Sequence, residues 1–156
     1  MYKVLMVCTG NICRSPTADG VLRHLITEQR LTNQIEVDSA GTQSYHVGEA
    51  PDRRSQKHAL RRGYDLSNLR ARQMKSTDYA EYDLILAMDR SHLNYLKQYC
   101  PVEYQEKLKL FLSFTAQTTE QEVPDPYYGG DQGFEHVLDL VEDACQGVLQ
   151  SILKTR

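Results

Sequence analysis

Cys8 and Arg14 bracket the segment Cys8-Thr9-Gly10-Asn11-Ile12-Cys13-Arg14-Ser15, which follows the apolar run Val4-Leu5-Met6-Val7 and precedes Pro16. That order reads as a buried strand, a tight loop and the start of a helix. A helix N-terminus offers unpaired backbone N–H groups and the positive end of the macrodipole, so it attracts anions. Ser15 is expected as the N-cap and Pro16 as the first helical residue. Gly10 and Asn11 tolerate left-handed backbone angles, which would turn the N–H groups of residues 9–14 inward as an anion nest. Arg14 adds a planar two-pronged donor matched to two phosphoryl oxygens. A cysteine at the floor of such a positive site favours its thiolate, the form that attacks. The chemistry implied is phosphoryl transfer to sulfur, with Thr9, Gly10, Asn11, Ile12, Cys13 and Ser15 forming the phosphate-binding loop.

The surrounding pattern supplies the elements that must hold this loop. Residues 2–7 read as a strand, and 16–30 as a helix with Val21, Leu22, Leu25 and Ile26 on one face. Strands are expected at 35–39, 84–88 and 108–112, and helices at 54–62 (closed by Gly63), 92–99 and 131–153. The last helix places Phe134, Val137, Leu138, Val141, Ala144, Cys145, Val148, Leu149 and Ile152 at helical spacing. Alternating strands and helices imply an α/β fold: one domain over residues 1–156, a four-stranded parallel sheet with helices on both faces, and the phosphate-binding loop after the first strand. Ligands of such sheets sit beyond the carboxyl ends of the strands, where Cys8 falls.

Composition narrows the class. The chain of 156 residues is 40% hydrophobic, enough for one core. Its formal net charge of -3 and lack of a basic run argue against nucleic acid as a partner. No apolar stretch is long enough to span a membrane and no leader pattern opens the chain, so a cytoplasmic location is expected. The four cysteines, at 8, 13, 100 and 145, are too few and too uneven for a secreted disulfide scaffold. Cys100 and Cys145 read as structural. His24, His46, His58, His92 and His136 show no metal-ligand spacing and read as surface or helix-end residues, so no metal and no cofactor are expected.

Taken together, residues 7–16 resemble the signature loop of the low-molecular-weight protein tyrosine phosphatases. Asp38-Ser39-Ala40-Gly41-Thr42, Ala71-Arg72-Gln73, Met88-Asp89 and Asp125-Pro126-Tyr127-Tyr128-Gly129 are similar to further family segments, in the family's order. The resemblance implies hydrolysis of phosphotyrosine in proteins through a Cys8-phosphate intermediate. Asp125 would be the general acid and then the base, although residues 123–126 read on their own as a turn-rich surface loop. Tyr45 and Tyr127 would wall a slot suited to a flat phenol ring, with His46 at its rim and Tyr128 alongside. Inorganic phosphate would be both product and competitive ligand. The resemblance further implies a reversible Cys8–Cys13 disulfide that protects the nucleophile, and a network of Asn11, Ser15 and Ser39 that holds the loop. At the place of the family's bridging histidine this chain has Asn68 and Leu69, which makes Asn68 the expected substitute.

Rival readings are an arsenate reductase, a protein-arginine phosphatase and a non-catalytic phosphate-binding redox sensor. The first needs two mid-chain relay cysteines, and only Cys100 is there. The second typically has threonine where this chain has Ile12. The third would have no use for Asp125 as an acid.

Overall fold

The computed structural model describes residues 1–127 and 129–155. β1 (Tyr2–Cys8) is the hub of the sheet. Val4 to Val7 are wholly buried because both faces of the strand are covered. Val4, Met6 and Cys8 point into a core built with α1 (Arg14–Glu28) and α5 (Asp131–Lys154). Leu5 and Val7 point the other way, against Tyr79, Tyr82 and Leu96. These come from α3 (Asp78–Glu81), its C-cap and α4 (Arg90–Tyr99). α2 (Arg53–Arg61) packs against α1 and α5.

β1 pairs in parallel with β2 (Ile35–Gly41) on one side, Tyr2 against Ile35 through Cys8 against Gly41. On its other side it pairs with β3 (Leu84–Ala87), which in turn pairs with β4 (Leu108–Leu110). The order β2-β1-β3-β4 means that the chain first winds to one side of β1 and then to the other. The carboxyl ends of β1 and β3 therefore flank the switch point where open α/β sheets bind ligands. Cys8 closes β1 there, and Asp89 stands just beyond β3.

Several boundaries differ from the sequence reading, each for a local reason. β2 runs on to Gly41, since the ladder with β1 continues to Cys8. A Cβ at Gly41 would lie 2.6 Å from the Thr9 carbonyl oxygen, so only glycine lets these two backbones close. α1 begins at Arg14 with Cys13 as its N-cap, not Ser15; Ser15's hydroxyl is engaged inside the loop. Pro16 falls at the third helical position, still within the first turn where its missing N–H costs nothing. β4 stops at Leu110 because Phe111–Phe114 turns into a 3-10 helix that buries Phe111 completely. α3 and the 3-10 helix Val102–Lys107 were too short to show periodicity. In α5 every residue of the anticipated stripe is buried, Leu140 with them. No helix among the described residues is long and apolar enough to cross a membrane.

Candidate active site

The loop between β1 and α1 is fixed by a directional chain of hydrogen bonds. Asn11 has φ of 59°, the left-handed region, and its side chain is buried. The backbone N–H of Arg72 donates to Asn11 Oδ1 (3.0 Å), which settles the orientation of the amide. Asn11 Nδ2 then donates to Ser15 Oγ (2.8 Å). With that lone pair occupied, the Ser15 hydroxyl hydrogen is available to Cys8 Sγ, 3.0 Å away. Neither Ser39 nor Asn68 belongs to this chain of bonds. Ser39 is buried beside Asp19, and Asn68 is exposed. Asn68, the expected substitute for the family's histidine, therefore takes no part, and Asn11 is bonded instead by a main-chain group, Arg72 N–H, which no side-chain reading would reveal. Gly10 does not take a positive φ. Its lack of a side chain matters for another reason: a Cβ would sit 2.9 Å from the His46 ring.

Arg14 is almost wholly buried, 5% exposed, and its guanidinium is held from behind. Nη1 donates to Asp89 Oδ2 (2.8 Å) and to the carbonyl of Val123 (3.0 Å). Nη2 lies 3.8 Å from Asp125 Oδ2. Burial alone would raise the Asp89 carboxyl, but the Ser91 hydroxyl, the His92 ring and Arg14 together hold it down at about 2. Asp89 also caps α4 by accepting the His92 N–H. Asp125 is half-exposed and accepts the Tyr127 N–H (3.0 Å), a tight turn that aims the carboxylate inward. Arg54 pins this loop, donating to the Tyr127 carbonyl (2.9 Å) and lying over the Tyr127 and Phe134 rings.

Burial, and after it the charge of Asp52, pushes the Cys13 thiol up to about 12, so it is held protonated. Cys8, Cys13, Cys100 and Cys145 are all free and buried. His92, expected near a helix end, is indeed in the first turn of α4 but is buried, with Nε2 2.8 Å from Thr9 Oγ1. His58 is buried too, hydrogen-bonded to Glu135 and stacked on Phe134. His24, His46 and His136 pair with Glu28, Glu49 and Glu120. Among the described residues no group of three or more His, Cys, Asp or Glu side chains is placed to hold a metal ion.

These parts converge on one cleft of about 240 Å3. Of the site residues picked out from the sequence, Cys8, Thr9, Gly10, Ile12, Cys13, Arg14, Tyr45, His46, Asp125 and Tyr127 line it; Asn11 and Ser15 are bonded to one another beside Cys8, and Ser39 and Asn68 do not line it. Tyr45, 72% exposed, and Tyr127, 39% exposed, form its mouth. Tyr128 lies outside the described residues. Four posts stand behind the loop: Asp89, His92, the Val123 carbonyl and the Arg72 N–H. Asp89 and Arg72 lie in segments that resemble the family's, and Asp89 is also a capping residue type between an apolar strand and a helix, but the supporting role of none of the four is visible in the sequence.

A doubly wound sheet with a Cys-to-Arg loop at its switch point, and a carboxylate facing the arginine, has the architecture of a phosphatase. Residues 3–156 match the family described as low molecular weight phosphotyrosine protein phosphatase, and the chain belongs to it. A Synechocystis protein is 50% identical over 153 residues, 97% of each chain. The Streptomyces coelicolor low molecular weight protein-tyrosine-phosphatase is 40% identical over 97% of this chain and 93% of its own. A crystal structure of a protein tyrosine phosphatase from Entamoeba histolytica, with Hepes in its active site, superposes with a TM-score of 0.96 at 40% identity, covering 99% of both chains.

Proposed function

We propose that this chain, acting over residues 1–156 as one catalytic unit, hydrolyses phosphotyrosine in proteins by a two-step transfer through Cys8. The Cys8 thiolate attacks phosphorus. Arg14 and the N–H groups of residues 9–14 bind the phosphoryl oxygens as the geometry flattens. Asp125 gives its proton to the departing phenolate oxygen as the P–O bond breaks. The resulting carboxylate takes a proton from the water that attacks the cysteinyl phosphate, and the P–S bond breaks to return the Cys8 thiolate. The Ser15 hydroxyl stabilises the sulfur as it attacks and as it leaves. Inorganic phosphate is released and competes for the same cradle. The tyrosine walls and the apolar Ile12 favour a flat phenol ring over a short serine ester or a guanidinium. We place this activity in the cytoplasm, without metal or cofactor. Under peroxide, Cys8 is oxidised to a sulfenic acid; the Cys13 sulfur then displaces hydroxide, released as water, to form a reversible disulfide.

The observation that carries the reading is the convergence of Arg14 and Asp125 on the cleft above Cys8, at 3.8 Å from one another. Turnover of phosphotyrosine, phosphoserine and phosphoarginine peptides, measured in chelator and thiol, tests it. Tyrosine-selective hydrolysis that vanishes in Cys8→Ser is expected. Preference for phosphoarginine, or near wild-type turnover by Cys8→Ser, would overturn it.

A further inference from the structure

Thr9 is the residue after Cys8, partly exposed on the cleft wall, and its hydroxyl has one side-chain hydrogen bond among the described residues, to His92 Nε2 at 2.8 Å. The direction of that bond follows from the other side of the ring. The backbone N–H of Asp89 donates to His92 Nδ1 (3.2 Å), which makes Nδ1 the lone-pair nitrogen of a neutral imidazole. Asp89 Oδ1 also lies 3.2 Å from Nδ1, but it receives the Ser91 hydroxyl and the His92 N–H, and the contact at Nδ1 with hydrogen-bond alignment is the one from the Asp89 N–H. A neutral ring that accepts at Nδ1 carries its proton on Nε2 and donates to Thr9 Oγ1, so that Thr9 accepts from His92 and its own hydroxyl hydrogen is left for another partner.

Thr9 shares the cleft with Cys8 and Arg14, where an anion is to be bound. We propose that Thr9 supplies a further side-chain hydrogen bond to the bound phosphoryl group, and that His92 is the positioning residue that turns the Thr9 hydroxyl hydrogen into the cleft. His92 thereby ties two parts of the cradle together. Its Nδ1 rests on the main chain of Asp89, whose carboxylate anchors Arg14, and its Nε2 sets the Thr9 donor. His92 thus bonds directly to Thr9 and, only through the Asp89 main chain, to the residue that anchors Arg14. This inference rests on the phosphoryl-binding reading of the cleft.

The probe is inorganic phosphate, measured by direct calorimetric titration and by competitive inhibition of turnover. A hydrogen bond to a charged group contributes about 1.5–3 kcal/mol, so Thr9→Val is expected to weaken phosphate roughly tenfold or more. KM should rise in parallel, while Thr9→Ser stays within about twofold of the parent. His92→Gln, which keeps an N–H donor, should lose less than His92→Leu. Adding His92→Leu to Thr9→Val should cost little more than Thr9→Val alone, because the two act through one bond. Nitrogen-15 spectra of wild type should show the proton on Nε2. Unchanged phosphate binding in Thr9→Val, fully multiplicative losses in the double variant, or a proton on Nδ1 would each overturn the assignment. If His92→Leu fails to fold, the threonine pair and the tautomer still decide. Absence of phosphate binding by wild type would overturn the phosphatase reading itself, a result distinct from all of these.

Discussion

Arg14 reaches Asp89 through a 2.8 Å hydrogen bond from Nη1 while Nη2 turns toward Asp125, 3.8 Å away. One end of the guanidinium is thus committed to the scaffold and the other to the cleft. A freely rotating arginine would have to be ordered in each catalytic cycle; this one is oriented before substrate arrives.

Asp89→Ala should therefore act on Arg14 without touching substrate. The substitution leaves a buried cation with one main-chain acceptor, Val123, and removes the cap of α4. The expected result is a fall of about 10–100-fold in kcat/KM with a loss of roughly 1–3 kcal/mol of stability. Asp89→Asn, which retains an acceptor oxygen and the cap, should recover much of both. Paired kinetics and urea unfolding check this, and equal damage from the two variants would mean that the charge of Asp89 matters more than its geometry.

Ser15→Ala tests the sulfur's hydrogen-bond donor. Removing a single donor aimed at developing charge costs roughly 100–1,000-fold in favourable cases; with the backbone N–H groups still in place, about 10–100-fold in kcat is expected here. Because the proposed second step regenerates the thiolate, stopped-flow traces with an aryl phosphate should show a larger burst of phenol followed by slower turnover. A uniform loss with no burst would place the effect in the first step alone.

Asp125→Asn should discriminate among leaving groups. A phenol that departs readily as an anion needs little help, whereas the phenolate of tyrosine needs a proton. The predicted deficit in the burst phase is about 100-fold or more for phosphotyrosine and shrinks steadily as the leaving phenol becomes more acidic. The same loss across a series of substituted phenyl phosphates would show that Asp125 only shapes its loop, through the Tyr127 N–H.

What the sequence made legible, and what it did not, divides along a physical line. Cys8 and Arg14, which act on a ligand through their own chemistry, stand out by type and spacing, whereas Asp125 is legible only through the resemblance of residues 125–129 to a family segment. The buried face of α5 stands out because its period repeats over 24 residues. The sheet was legible for the same reason, as Val4–Val7 can lie only in a strand covered on both faces. Missing from the sequence are partners that are far along the chain and act through the main chain. The Arg72 N–H that orients Asn11 has no residue type to betray it. Nor could the place of Ser15 be read from its preference for helix caps. That preference was overridden when Asn11 and the Cys8 sulfur claimed its hydroxyl, leaving Cys13 at the cap. His92 looked like any helix-end histidine until the fold brought Thr9 to it.

The pH dependence of stability sets two buried groups against each other. Burial, followed by the charge of Arg14, lowers His92 from 6.5 to about 4. The unfolded chain then binds the proton more readily, so the contribution of neutral His92 is complete above pH 6.5 and is lost as pH falls toward 4. Asp19 has the opposite sign. Burial, only partly offset by Arg23, raises it from 3.8 to about 6, so the folded chain binds this proton more readily and gains stability as pH falls from 6 toward 3.8. Each swing is on the order of 3 kcal/mol, and between pH 6 and 4 they nearly cancel. Their joint contribution to the wild-type profile should be close to flat there. Asp19→Asn should expose the His92 loss, with the urea midpoint dropping on acidification relative to wild type. His92→Gln should expose the Asp19 gain, with the midpoint rising relative to wild type. Parallel pH profiles for all three proteins would mean that neither group changes its proton affinity on folding, and the burial argument for both would fall.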